Sequence, residues 1–173
     1  MNTADHPHEM LQPLGLFAGD LFARGIEYRD AFEILTQKNT GKLLYASYFL
    51  FAHSLELFLK SYLAACDTTK KAVRYYLGHD LPTILHRCEQ RSIPDVPNLR
   101  ELVATIHEIN KDHDFRYPSN FNLSVPTPAE CLLVAHSLAS AIAPAVSRAK
   151  IVAELHFASD TAHLRGKKVR WSD

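Results

Sequence analysis

The sequence has little glycine and no segment with the pattern of a β-strand. Only 6 of its 173 residues are glycine, and no stretch alternates apolar and polar side chains as a half-buried strand does. Apolar residues instead recur every three or four positions, as they do on one face of a helix. This pattern predicts an all-α protein.

Cysteine is also scarce, and its spacing excludes two kinds of site. The three cysteines, Cys66, Cys88 and Cys131, lie far apart. No two of them have the spacing of metal ligands, and an odd number does not suggest a disulfide framework. We therefore expect reduced cysteines in a cytoplasmic protein, with no metal and no cofactor.

An excess of charge of either sign is absent as well. With histidine neutral the formal net charge is zero, so no global field attracts nucleic acid or an acidic membrane. The first ten residues, MNTADHPHEM, lack the basic and apolar regions of a signal peptide. The most apolar run, near residues 43–52, is too short for a membrane span. We expect no membrane association.

Helical periodicity accounts for most of the chain. The length suits one domain covering residues 1–173, with a core over about 14–158 and a short, basic, frayed tail over 159–173. The expected fold is an up-and-down bundle of four long helices plus one or two short ones. The long helices are expected at 14–37, 42–65, 99–112 and 128–157, and the short ones at 68–77 and 81–91.

Polar residues with capping potential precede four of these helices. Thr127, followed by proline at the first helical position and glutamate at the third, has the strongest such pattern. Asp67 and Asp80 are expected to cap the two short helices, with the Asp80 carboxylate accepting the backbone N–H of Thr83. Asn98 has the spacing of a second capping box.

The helix at 42–65 is apolar on almost every face, yet it contains Glu56 and Lys60, four residues apart. Such a helix is expected at the centre of the bundle. Glu56 extends an apolar stripe four residues beyond Ala52, which predicts that its carboxylate is buried. Three interpretations of the pair are open: an internal ion pair that also holds a neighbouring loop, part of a ligand-binding or catalytic site, or a pair on an exposed helix face.

The turn Gly78-His79-Asp80 follows this helix closely. His79 is expected to point at a neighbour such as Glu56. An imidazole beside carboxylates can also act as a general acid or base, but no serine or cysteine lies in a recognisable nucleophile motif.

A polar, aromatic loop at 113–126 contains the last candidates. Asp112, His113 and Asp114 form a conceivable metal cluster, but adjacent residues rarely converge on one ion. Arg116 and Tyr117 precede a proline that favours extended backbone. We expect Arg116 either to dock onto Glu56 or Asp80, or to remain available for an anion.

Three segments together resemble one known family. The segments FAHSLELFLKSYL, GHDLPTIL and FRYP resemble the HEPN superfamily, and within it the uncharacterised bacterial branch with a GHDL motif. The resemblance covers roughly residues 40–150. It implies a bundle of four or five helices, usually dimeric, of a kind found in toxin–antitoxin, phage-defence and other RNA-linked systems.

Many members of that superfamily are metal-independent endoribonucleases. The resemblance implies an arginine, four to six intervening residues and a histidine, placed on the last core helix and lining a dimer cleft. There the arginine would stabilise phosphate charge, and the histidine would perform acid–base chemistry on the ribose 2′-OH.

This chain departs from that motif. His136 on the last helix has no arginine at the required distance, and Gly78 separates Arg74 from His79. Arg100 and His107 have six residues between them and share one helix face, but that helix is the penultimate one. In addition, Glu101 directly after the arginine would repel phosphate.

The departures favour a non-catalytic HEPN-like protein that binds RNA, an anionic ligand or a protein partner, as a homodimer. The alternative is a metal-independent ribonuclease toxin with Arg100 and His107 as its catalytic residues. A third hypothesis is that the basic tail contacts nucleic acid. Its candidate residues are Arg165, Lys167, Lys168, Arg170 and Trp171.

Overall fold

A computed structural model describes residues 8–37, 42–112, 114–117, 124–164 and 169–172, and it confirms the all-α bundle. The elements are β1 (His8–Leu11), α1 (Leu14–Gln37), α2 (Leu44–Ala65), a π-helix (Ala72–Tyr76), α3 (Leu81–Glu89), α4 (Leu99–Asn110), α5 (Pro128–Asp160), a 3₁₀ turn (Ala162–Leu164) and β2 (Val169–Ser172).

Helix α2 is the central element, as its apolar surface predicts. It packs against α1, α3 and α5, while α4 packs on α3 and α5. Its buried residues include Phe51, Leu55 and Phe58, all with no exposed surface. Burial on several sides removes much more apolar area from water than a surface helix could.

A glycine in α1 allows the close approach of α1 and α2. Gly25 is buried, and a β-carbon at this position would lie 2.8 Å from the ring of Phe58. The Gly25 carbonyl also accepts a hydrogen bond from the buried Ser54 hydroxyl, at 3.0 Å. Glycine is therefore required here for packing rather than for backbone conformation.

The helix starts agree only in part with the capping predictions. Thr127 and Glu130 form the predicted capping box of α5. The prediction for Asp67 is wrong: it has φ +64° just after α2, and the Thr69 hydroxyl accepts the Ala72 N–H instead. The prediction that the Asn98 side chain caps α4 is also wrong. Asn98 has φ +62°, and its side chain makes no capping hydrogen bond.

Two short segments near the ends of the chain pair with each other, which the helical pattern does not predict. β1 and β2 form a two-stranded parallel sheet that aligns Met10 with Trp171. The Trp171 ring centre lies 5.0 Å from that of Phe157 on α5. The tail is therefore not frayed over residues 169–172.

Helix α5 is long and apolar enough, by length and composition, to cross a membrane. In this structure one of its faces is buried against α1 and α2. A core helix of a bundle needs the same apolar composition.

Candidate functional site

The ion pair predicted in α2 is present and buried. Glu56 and Lys60 are each only 6% exposed, and the Lys60 ammonium donates to Glu56 Oε1 at 2.8 Å. The same ammonium donates to the Gly78 carbonyl at 2.7 Å. The pair therefore also holds the turn after the π-helix, as the first of the three interpretations predicts.

That turn brings His79 onto the carboxylate. Gly78 has φ +57°, a left-handed conformation that glycine adopts without the penalty a β-carbon brings. His79 Nδ1 lies 3.0 Å from both Glu56 oxygens, which confirms the predicted direction of this side chain. The outer part of the imidazole is exposed to solvent.

The surroundings of Glu56 keep it ionised. Burial by itself would raise the pKa of this carboxyl group, but polar contacts with His53, Lys60 and His79 more than offset it. The pKa falls to about 2. Glu56 therefore acts as a fixed negative charge and is not a proton donor at neutral pH.

His53 is a member of the site that sequence reasoning missed. It precedes Glu56 by one helical turn, and its Nδ1 lies 3.9 Å from Glu56 Oε2. Its ring stacks on Phe49 and contacts Tyr28 edge-on. The signal available in the sequence was a histidine three residues before a buried glutamate on an apolar helix.

A second histidine–carboxylate pair joins α3 to α4. His107 Nδ1 lies 3.2 Å from Asp80 Oδ1. Asp80 is at the predicted position before α3, but its side chain makes no capping hydrogen bond. The predicted bond to Thr83 is wrong because the carboxylate is turned towards α4 instead.

The two pairs border one cleft with a volume of about 340 Å³. Phe49, Ala52, Leu81 and Ile106 form its apolar walls. Its polar lining consists of His53, Glu56, His79, Asp80, His107, Asn110, Lys111 and Arg116.

Arg116 lies at this cleft but makes neither of the expected ion pairs among the described residues. Its guanidinium carbon is 5.1 Å from the centre of the Phe49 ring, and the side chain is exposed. Stacking on an aromatic ring positions a guanidinium while leaving its N–H donors available to a ligand. Tyr117 is exposed and does not line the cleft.

Within one copy of the chain, Arg100 and His107 do not converge. Arg100 is exposed and pairs with Glu89 of α3 at 2.6 Å, whereas His107 faces Asp80 and the cleft. The seven-residue spacing places both on one side of α4, but they lie about two helical turns apart along it.

The remaining sequence candidates add little. Among the described residues, no three or more histidine, cysteine, aspartate or glutamate side chains are grouped to hold a metal ion. His113 of the conceivable cluster lies outside the described residues, as do the tail residues Arg165, Lys167 and Lys168. Arg170 and Trp171 belong to β2.

The cleft presents two imidazoles in defined orientations. The Glu56 carboxylate accepts from His79 Nδ1, which leaves Nε2 as the nitrogen available to a ligand or a reacting proton. His107 Nδ1 lies beside the Asp80 carboxylate at 3.2 Å. No family model, no curated protein and no solved structure matches this chain.

Proposed function

We propose that the cleft binds a phosphate-bearing ligand, with RNA as the favoured class. The observation that carries this proposal is the convergence of His79, His107 and Arg116 on one cleft. The stacked, exposed guanidinium supplies donors suited to phosphate oxygens. An imidazole whose Nδ1 proton faces a carboxylate presents Nε2, which accepts from a ribose hydroxyl when the ring is neutral and donates to phosphate when the ring is protonated. The chain has no net charge, so binding would depend on this local set rather than on a global field.

An apolar wall beside these donors favours a nucleotide over a bare anion. The Phe49 ring lies under Arg116 and stacks on His53, so it holds a planar guanidinium and a planar imidazole at the cleft. Bases of single-stranded RNA stack on guanidinium planes and on aromatic rings, histidine included, while their phosphates bind charged donors. The proposal therefore expects RNA oligonucleotides to bind more tightly than inorganic phosphate.

The test is binding of a fluorescently labelled single-stranded RNA oligonucleotide, measured by anisotropy at two salt concentrations. Replacing Arg116 with glutamine should weaken binding by about tenfold, because one charged hydrogen-bonding contact is lost. Arg100→Gln is the matched control: it removes the same charge from an arginine that is also exposed but lies outside the cleft and pairs with Glu89.

Equal weakening by Arg116→Gln and Arg100→Gln would show that binding depends on surface charge in general. If the RNA oligonucleotide does not bind even at low salt, the proposal that the cleft binds RNA is wrong. If deleting residues 164–173 abolishes binding while Arg116→Gln does not, the tail hypothesis would be favoured instead.

A ribonuclease remains the second candidate, because two histidine–carboxylate pairs border the same cleft. One imidazole would take the proton of the ribose 2′-OH as that oxygen attacks the adjacent phosphorus. The other would protonate the departing 5′-oxygen, so the step needs no metal. The pairs suggest His79 and His107 for these roles, rather than Arg100 with His107.

A cleavage assay on total RNA with EDTA present separates the candidates. Activity lost in both His79→Gln and His107→Gln, but kept in Arg100→Ala, would favour catalysis in this cleft. Activity lost in Arg100→Ala would favour the motif that the HEPN resemblance implies. Binding without any cleavage would leave the non-catalytic proposal in place.

A further inference from the structure

Asn110, the last residue of α4, joins two parts of the cleft. Its side chain is half-buried and lines the cleft. Its Oδ1 accepts the backbone N–H of the buried Phe115 at 3.1 Å. Because Arg116 follows Phe115 directly, this bond holds the backbone that carries the guanidinium. Asn110 and Arg116 therefore border the same end of the cleft.

The contact with Phe115 fixes the orientation of the Asn110 amide. A backbone N–H can only donate, so the amide atom that faces it is the oxygen, and Nδ2 is the other end of the amide. Among the described residues, Nδ2 donates no hydrogen bond within the chain. Asn110 therefore offers two N–H donors to a ligand, while its oxygen already has a partner.

The groups beside this amide are donors as well. The exposed guanidinium of Arg116 donates and does not accept, and so does the ammonium of Lys111, which lines the cleft and pairs with Glu108. The two carboxylates of the cleft, Glu56 and Asp80, face histidines. This end of the cleft is therefore suited to a ligand group that only accepts hydrogen bonds.

We propose that Asn110 recognises the base of a bound RNA and selects a keto oxygen, at C6 of a purine or C4 of a pyrimidine, over an amino group at the same position. This inference rests on the RNA binding proposed above. Guanine presents O6 and N7 as acceptors, and uracil presents O4. The amino groups of adenine and cytosine would bring their own N–H donors against those of Asn110, and both sets would lose water without gaining a partner.

The same geometry disfavours the usual contact of asparagine with a base. Asparagine commonly recognises adenine through two bonds, one from Nδ2 to N7 and one from the adenine N6 amino group to Oδ1. Here the Phe115 N–H already donates to Oδ1, so adenine would have to compete for that oxygen. A keto group needs only Nδ2.

The size of the cleft suits a single nucleotide. Its volume of about 340 Å³ is close to the lower limit of about 300–1,000 Å³ for small-ligand pockets. His107 and Asn110 lie one helical turn apart on the same face of α4. A base stacked at Phe49 can therefore present its edge to Asn110 while its ribose or phosphate meets His107.

The test uses short labelled RNAs that each carry one base between abasic residues, with binding measured by anisotropy. Hypoxanthine and adenine differ in the keto or amino group at C6, and uracil and cytosine differ in the same way at C4. We expect each keto base to bind about fivefold more tightly than its amino counterpart. A difference confined to the purine pair would assign a guanine-type ligand, and one confined to the pyrimidine pair would assign uracil.

Asn110→Asp removes the donors but keeps the bond to Phe115, because a carboxylate oxygen can accept the same backbone N–H. We expect the keto preference to disappear or reverse, since the second oxygen accepts from an amino group. Asn98→Asp is the matched control: it makes the same change at an exposed position outside the cleft, at the other end of α4, and should leave the preference unchanged. Circular dichroism checks that both variants are folded.

The ratio of keto to amino affinity is the decisive quantity, and it is measured first on the parent chain. Equal binding of the two versions by the parent chain, or an unchanged preference in Asn110→Asp, would overturn this inference and leave the RNA proposal in place. A fully abasic RNA that binds as tightly as the keto versions would do the same. If no labelled RNA binds even at low salt, the RNA proposal fails, and this inference fails with it.

Discussion

Glu56 has polar contacts with three side chains of the site, those of His53, Lys60 and His79. Its carboxylate meets the Lys60 ammonium at 2.8 Å and the His79 imidazole at 3.0 Å, while helix α2 keeps it away from water. A buried carboxylate is costly unless its partners replace the lost hydration. Removing one partner therefore leaves the others without compensation.

We expect Glu56→Ala to lower the free energy of unfolding by about 3–5 kcal/mol, because it leaves the Lys60 charge buried without its partner. Urea denaturation measures this change. Glu27→Ala, at an exposed position on α1, is the control and should change stability by about 0.5 kcal/mol or less. Equal effects of the two substitutions would contradict burial of an ion pair.

The lowered pKa of Glu56 also predicts a pH dependence of stability. Its folded-state value of about 2 is below the ordinary 4.5, so the unfolded chain binds a proton that the folded chain does not. The stabilisation is therefore fully present above about pH 5 and is lost as the pH falls towards 2. At about 1.4 kcal/mol per pKa unit, it amounts to about 3 kcal/mol.

Urea titrations of the parent chain and Glu56→Gln at several pH values between 7 and 2 test this prediction. The stability difference between the two proteins should shrink by about 3 kcal/mol over that range. A difference that stays constant with pH would show that the carboxylate does not titrate as its contacts imply.

At the scale of elements, two helix starts with similar sequence patterns behave differently. Thr127 and Glu130 satisfy each other's backbone N–H groups, at 3.3 and 2.9 Å. Asn98 and Glu101 have the same spacing, but Asn98 is left-handed and its side chain makes no cap bond. The same short motif therefore stabilises only one of the two helices.

This difference predicts opposite outcomes for two substitutions. Thr127→Ala should lower the free energy of unfolding by about 1 kcal/mol, because the Glu130 backbone N–H loses the Thr127 hydroxyl as its acceptor. Asn98→Gly should be neutral or slightly stabilising, because glycine favours the left-handed conformation found there. Thermal unfolding distinguishes them, and a clear loss of stability in Asn98→Gly would indicate a side-chain cap at α4 after all.

At the scale of the whole molecule, β1 near the start of the chain and β2 near its end meet in one small sheet. The chain has a single tryptophan, and Trp171 lies in β2 beside Phe157. Its fluorescence therefore reports whether the ends are paired.

Replacing both Glu9 and Met10 with proline removes two adjacent backbone N–H donors from β1. Adjacent donors point to opposite sides of a strand, so one of the two lost donors is on the side that faces β2. We expect the Trp171 emission to shift to longer wavelength, because the ring loses its partly apolar surroundings. The double alanine variant at the same positions keeps both donors and should leave the emission unchanged. Identical spectra for the proline variant and the parent chain would argue against the pairing of β1 with β2.

Much of the bundle was predictable from the sequence because its signals are local. The boundaries of α1 and α2 follow from apolar spacing along the helix, and burial of Glu56 follows from its place on an apolar stripe. The contact between His79 and Glu56 was also anticipated, since a short turn after a helix returns the chain to that helix. The all-α class and the capping box at Thr127 were predictable for the same reason, because both depend on residues only a few positions apart in the chain.

The rest depended on contacts between segments that are remote in the chain. Asp80 has the local pattern of a cap, but His107 of α4 takes its carboxylate, and Arg116 lies over Phe49 rather than against an acid. Met10 and Trp171 pair although almost the whole chain lies between them. The helical segments and the buried charges can be located from the chain alone, because the apolar spacing within a helix carries that information. Which side chains face each other across the cleft depends on how the helices pack, and no local pattern encodes that packing.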